Sequence, residues 1–428
     1  MRDDPVPRLT RREAALALAA GVLLAAGLAW TGRTPAEGLG WRVAFVGLHV
    51  AGCAGLWAGL RRRAPTVRQL LVGAVIFRVC ALPMAPALSD DGYRYLWDGR
   101  LTVETDVSPY EVRPSDPSLE TWHDGVLYER MNSRDYYSVY PPASQVVFAV
   151  AAAVYEPLGW RASWTLLKIL LVAAEFVGIV ALLRLVGARG AALYAWSPLA
   201  VVEVAGQGHT EALVVAGLGL VLMGGARSLG SLGATVAGLA KLYPLALLPF
   251  TWRREGRSGL AVSLSATILL GALVWSPNAL EHVSESVGLF FGTFDEYAAP
   301  YRILKAALFP LAGEAAGRLA SLALAGLFAV LLLGTWLADD GTRQGLTRAV
   351  AVVVLGFVLT ASTLHPWYWL PVLWMCPLLQ RKNPSYWISS TASTSYLSYV
   401  FPPAALIATL VGWGGALLLA LWPRGDRL

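Results

Sequence analysis

The feature that most limits this chain is a succession of long apolar runs separated by short polar stretches. Runs of about 18 or more residues with few charges read as helices that cross a bilayer, because a helix satisfies its own backbone hydrogen bonds where no water is present. The first run, "EAALALAAGVLLAAGLAW" at 13–30, follows Arg11 and Arg12. It is longer than a signal-peptide core and has no small-residue cleavage site, so it reads as an uncleaved first helix. Only 14% of the 428 residues are charged and 56% are hydrophobic, against about 25% charged in soluble domains. A water-exposed globule is thereby excluded. The expected fold is an all-α polytopic membrane protein.

The positive charge, a net +6, falls in short clusters between the apolar runs: "RLTRR" at 8–12, "RRRAPTVR" at 61–68, "RREGR" at 253–257 and "RK" at 381–382. That is the pattern of cytoplasmic loops rather than of a nucleic-acid-binding face. Cys53, Cys80 and Cys376 all lie inside apolar runs, where neither a disulfide framework nor a zinc site is expected.

With the N-terminus inside, helices at about 13–30, 41–60 and 67–88 leave a loop over 89–141 outside. It is the longest polar segment of the chain and is rich in Tyr, Trp, Asp and Pro, which suits short helices lying in the membrane interface. The stretch 277–314 is expected outside as well, and the C-terminus inside. Between 142 and 252, five crossings or three plus a re-entrant hairpin both satisfy parity. The total comes to about 12–14 helices. The expected division is 1–66 as two N-terminal transmembrane helices, 67–400 as a catalytic membrane domain, and 401–428 as a C-terminal helix with a cytoplasmic tail.

Several charges stand inside apolar runs, where each costs roughly 2.5–3.5 kcal/mol on insertion scales: Arg78, Lys168, Glu175, Glu203 and Lys241. Lys168 and Glu175, seven apart on one helix face, suit a structural pair. Arg78 precedes Asp90 by twelve residues, about 18 Å if the helix continues, and its guanidinium is shaped for a phosphate. Lys241, followed by Tyr243 and Pro244, suits the same task at a bend. His209 and His365 stand where apolar runs break.

The sequence "SDDGYRYLWDGR" at 89–100 sets adjacent carboxylates at the end of an apolar helix. It is followed in order by "VYPPASQ", "YAWSPLAVVEVAGQGHTEAL", "GLAKLYPLALLP" and "HPWYWLPVLWM". Together these resemble the polyprenol-phosphate-mannose-dependent mannosyltransferases of the GT-C superfamily, in the branch of glycosyltransferase family 87 and its alpha-1,6-mannosyltransferase relatives. The likeness spans about 67–400. It implies a GT-C helix bundle, a polyprenyl-phosphate-linked sugar donor, and a hydroxyl of a glycan or glycolipid acceptor. Transfer would invert the anomeric centre on the external face of a bacterial cytoplasmic membrane.

The family's base is an Asp four residues before a Tyr, which here is Asp91 with Tyr95, Asp90 being the second candidate. Contacts to donor or acceptor would come from Arg78, Tyr93, Arg94, Tyr95, His209, Glu211, Lys241, Tyr243, His365 and Tyr368. No cofactor is expected. A divalent ion could bind two adjacent carboxylates, but no further acids surround them, and the reading does not favour it. Two helices precede the aspartate loop beyond the family pattern, and the chain after 400 is not diagnostic. The alternative class is a transporter or flippase of a lipid-linked sugar, which the buried charges and broken helices also suit. It lacks the internal repeat expected of such folds.

Overall fold

A computed structural model describes residues 6–31, 38–105, 107–224, 228–293, 297–379 and 384–421. The "RK" pair at 381–382 and the tail from 422 lie outside the described residues. Within them the chain is helical, and no strand is formed. Among the described residues, five helices are long and apolar enough to cross a membrane: Arg11–Trp30, Leu39–Arg62, Trp160–Ala195, Ala299–Leu337 and Arg343–Thr360. The expectation of an all-α polytopic membrane protein is borne out. Other apolar segments are shorter, among them Pro142–Ala152, Glu211–Met223 and Leu229–Gly238.

The helix after the arginine-rich loop starts where a capping box predicts it should. Thr66 Oγ1 accepts from the Gln69 N–H at 3.2 Å, and Gln69 Oε1 accepts from the Thr66 N–H at 2.8 Å, satisfying two orphan donors at once. It ends at Ala81 rather than running to 88. Pro83 and Pro86 lack the backbone N–H that a continuing helix needs. The segment 82–90 is therefore an irregular strap that turns the chain into a new helix at Asp91–Glu104.

Contacts separate two ends of the bundle. At one end, Arg254 forms a double ion pair with Asp339 and donates to Thr342 O, while the chain at Leu9 hydrogen-bonds Ala64 O. At the other end, Ser276 and Asn278 donate to Glu111, and Arg113 reaches Glu285 at 2.8 Å. The clusters at 8–12 and 61–68 thus lie against each other, and the aspartate loop meets the 276–285 segment.

Close helix contact in the middle is made by glycines. A Cβ on Gly217 would stand 2.4 Å from Gly233 O, and one on Gly233 would stand 2.5 Å from Gly217 O. Only hydrogen at both positions lets Glu211–Met223 lie against Leu229–Gly238.

Candidate active site

The strap 82–90 is held from below by side chains of two other segments. The Lys168 ammonium donates to Leu82 O and Met84 O at 2.5 and 2.6 Å, and Trp164 Nε1 donates to Met84 O at 2.9 Å. Gln207 accepts from the Leu88 N–H at 3.0 Å and donates to Ala85 O at 3.1 Å. Carbonyls exposed by the missing helix turn thus gain partners, as buried backbone requires. Lys168 is thereby committed to the strap and does not pair with Glu175; that expectation is corrected, since the strap's freed carbonyls are nearer than the carboxylate on its own helix.

The strap delivers Asp90 and Asp91 to the start of a helix. Asp90 Oδ1 accepts from Asn132 Nδ2 at 2.8 Å. Asp91 is engaged more loosely: the Tyr95 hydroxyl is 3.5 Å from its Oδ2. Tyr95 is fixed by stacking on Phe148 at 4.5 Å and by an edge contact with Tyr140 at 4.9 Å. Burial, with the Asp90 charge next to it, pushes the Asp91 carboxyl up to about 7; the Lys241 ammonium pulls the other way. Asp90 is raised as well, by burial.

Lys241 faces this carboxylate from a broken segment. The helix Leu229–Gly238 stops, and a 3-10 turn with Pro244 begins at Tyr243. The carbonyls left over are taken by "VYPPASQ": the Ala143 N–H donates to Leu239 O at 2.8 Å, and Ser144 Oγ to Ala240 O at 3.1 Å. Lys241 Nζ stands 3.0 Å from Glu211 Oε1. It lies 5.1 Å from the centre of the Tyr368 ring and 5.8 Å from that of Tyr140. Tyr243 stacks on Phe357 at 4.1 Å, and Phe357 meets Tyr368 edge-on.

Behind Lys241, the chain 201–206 forms a π-helical turn that ends the apolar run before Gln207, a device often found at functional sites. Gly208 turns with φ of 70° and passes close to Trp164, a conformation and a clearance that suit glycine. His209 Nε2 then lies 3.3 Å from Glu203 Oε2. Glu203 in turn accepts the Tyr396 hydroxyl at 3.0 Å on both oxygens. His209 stacks on Trp367 at 3.9 Å, and His365 stacks on the same indole at 4.5 Å. His365 Nδ1 and the Tyr399 hydroxyl are 2.8 Å apart.

Asp91, Tyr95, His209, Glu211, Lys241, Tyr243, His365 and Tyr368 therefore belong to one contiguous site. Three other candidates do not join it. Arg78 is enclosed and paired with Glu175, and its remaining donors reach Ala74 O and Ala195 O. Arg94 is bound to Asp98 at 2.7 Å and to the Ser133 and Tyr136 carbonyls. Tyr93 turns toward Trp160 and Arg130. The 18 Å helical path from Arg78 to Asp90 is also corrected, because the helix ends at the prolines.

Three contributors, Tyr140, Trp367 and Tyr396, are not singled out by the sequence, whereas Glu203 stands out there as a buried charge without an assigned partner. Tyr140 lies in the quoted "VYPPASQ". Trp367 and Tyr396 gave no signal beyond being aromatic. Among the described residues no three His, Cys, Asp or Glu side chains gather as metal ligands.

A family model described as alpha-(1->6)-mannopyranosyltransferase, N-terminal domain, matches residues 12–253, more than half the chain. The chain belongs to this MptA_B family. No curated protein and no solved structure matches it. It is accordingly a mannosyltransferase of the GT-C type, a membrane protein that uses a sugar donor and an acceptor. The matched region of the alpha-(1->6)-mannopyranosyltransferase family contains Asp90, Asp91, His209, Glu211 and Lys241. His365, Trp367, Tyr368 and Tyr396 come from the part beyond it.

Proposed function

We propose that the protein transfers mannose from a polyprenyl-phosphate donor to a hydroxyl of a glycan or glycolipid, in one inverting displacement on the external face of a bacterial cytoplasmic membrane. The observation that carries this reading is that Asp91, whose carboxyl burial and the Asp90 charge push up to about 7, lies within electrostatic reach of the Lys241 ammonium, which stands 3.0 Å from Glu211. The acceptor hydroxyl gives its proton to Asp91 as its oxygen bonds to the sugar's anomeric carbon. The bond from that carbon to the phosphate oxygen breaks on the opposite side. Polyprenyl phosphate departs as an anion, and Lys241 offsets the charge it gains. A β-linked mannosyl phosphate thus yields an α-mannoside.

A single base is what such a displacement requires. Two carboxylates flanking the sugar at glycosidase separation would be a different machine, and here Asp90 is spoken for by Asn132. A lipid-borne donor also explains why a catalytic acid stands just past an apolar helix, at the far end of the strap 82–90: the lipid tail delivers the sugar to that depth. The division into two leading helices, a catalytic domain over 67–400 and a terminal helix belongs to the same proposal.

The test is transfer of radiolabelled mannose from synthetic polyprenyl-phosphate-mannose into a membrane-lipid extract, with wild type, Asp91→Asn and a chelator control side by side. A positioned base contributes about 10²–10⁴ in rate, so Asp91→Asn should lose that much while still binding donor. Full activity in Asp91→Asn would remove it as the base, and loss with the chelator would call for a metal at the paired carboxylates.

A further inference from the structure

Buried polar groups in native proteins nearly all have partners, because stranding one costs more than a made hydrogen bond gains. The floor of this site departs from that rule in one place. Among the described residues the two ring nitrogens of His209 and Thr210 Oγ1 make no hydrogen bond, and Glu211 Oε2 has none either. Glu203 stands 3.3 Å from His209 and Lys241 stands 3.0 Å from Glu211 Oε1, while the Trp367 indole has the neighbouring Tyr368 hydroxyl beside it. His209, Thr210 and Glu211 are consecutive in the chain, Trp367 lies flat on His209, and His209 and Glu211 both stand beside Lys241. His209, Thr210, Glu211 and Trp367 are all at most 4% exposed, whereas Asp91, Lys241, His365 and Tyr368 keep partial exposure. The patch is the closed end of the site and the carboxylate its open end.

The chemistry of the patch selects among occupants. It offers donors from the indole N–H, the hydroxyl and one imidazole nitrogen, and acceptors from the carboxylate, the hydroxyl and the other imidazole nitrogen. A phosphate brings acceptors only and would be repelled by Glu211; a lipid tail brings neither. Groups that both donate and accept, closely spaced on a small rigid frame, are the hydroxyls of a sugar. The patch is also correctly located for the sugar that is transferred. Glu211 touches Lys241, where the leaving phosphate is proposed, and Gln207 ties the same turn to the strap that carries Asp91.

We propose that His209, Thr210, Glu211 and Trp367 form the subsite that reads the hydroxyls of the donor sugar, with Thr210 and Trp367 as specificity-determining residues. This rests on the lipid-linked donor proposed above.

The test uses the full chain in nanodiscs and two probes, a short-chain polyprenyl phosphate and the same lipid carrying β-mannose. Wild type should bind the mannosylated lipid at least tenfold tighter. Thr210→Val and Trp367→Phe should each cut that preference about five- to tenfold and leave binding of the bare lipid unchanged. Thr210→Ser, which keeps the hydroxyl, should restore the preference and controls for a folding defect. Equal binding of the two lipids by wild type, or variants that weaken both equally, would overturn the subsite while leaving the donor reading intact. Failure to bind either lipid would overturn the donor reading and the subsite with it.

Discussion

Arg78 and Glu175, 97 positions apart in the chain, form a two-pronged ion pair inside the bundle: Arg78 Nε and Nη2 each donate to a Glu175 oxygen at 2.6 Å. Their side chains are 1% and 0% exposed. The pair joins the helix Val67–Ala81, which leads into the catalytic strap, to the long helix Trp160–Ala195 that clamps that strap through Lys168. Removing one partner leaves the other charge buried and alone, at a cost of about 3–5 kcal/mol, whereas removing both is often close to neutral. Glu175→Leu should therefore melt far earlier than wild type in thermal unfolding, and Arg78→Met/Glu175→Leu should recover most of the loss. If Arg78 bound the donor phosphate instead, the double variant would stay inactive despite its recovered stability.

The rate of transfer should depend on pH through Asp91. The base works only when deprotonated, and burial with the Asp90 charge holds it protonated up to about 7. Activity should rise with pH through that value. In Asp90→Asn the repelling charge is gone, so the Asp91 anion is easier to form and the ascending limb should move to lower pH. The linkage to stability has the matching sign: the carboxyl is raised in the fold, so its contribution is present at low pH and is lost as pH climbs from about 4, the unfolded value, through the folded one. A pH–rate profile of both proteins checks the first point, and a limb that does not move in Asp90→Asn would refute it.

Lys241 is expected to act on the leaving group rather than on donor affinity alone. Removing one electrostatic stabiliser of a developing charge costs about 10²–10³ in kcat, so Lys241→Met should fall by that amount. Lys241→Arg, which keeps the charge at a similar reach, should retain part of the activity. The two are told apart by kcat and KM measured separately; a change confined to KM would reduce Lys241 to a binding group.

Helix contact at Gly217 and Gly233 can be tested without touching the site. A methyl at either position meets backbone carbonyl oxygen rather than a flexible side chain, so Gly217→Ala or Gly233→Ala should destabilise by about 1–3 kcal/mol as overpacking. Gly47, in the helix Leu39–Arg62, has nothing within 4 Å of such a methyl. Gly47→Ala should raise stability, by about 0.5–1 kcal/mol, through the entropy glycine loses in a helix. Thermal unfolding of the three variants decides it, and equal effects would show that helix propensity, not packing, governs both places.

The membrane-spanning helices were legible in the sequence because hydropathy and length are local properties, and so was the pair Asp91 and Tyr95, four apart on one helix. Proline chemistry alone also accounts for the helix end before the strap, although the strap's residues still read as part of an apolar run. Which buried charge does what was not legible. Arg78, Lys168 and Glu175 carry the same signature in the sequence, a charge in an apolar run, and only the tertiary contacts assign Arg78 to Glu175 and Lys168 to two backbone carbonyls. Lys241 carries it too, but its partner is the carboxylate of Glu211, thirty residues earlier and beside Asp91. The sequence by itself determined that costly polar groups are present inside apolar runs; the tertiary structure decided their pairing, because the free energy of a buried charge depends on what lies within a few ångströms of it, and those neighbours come from distant parts of the chain.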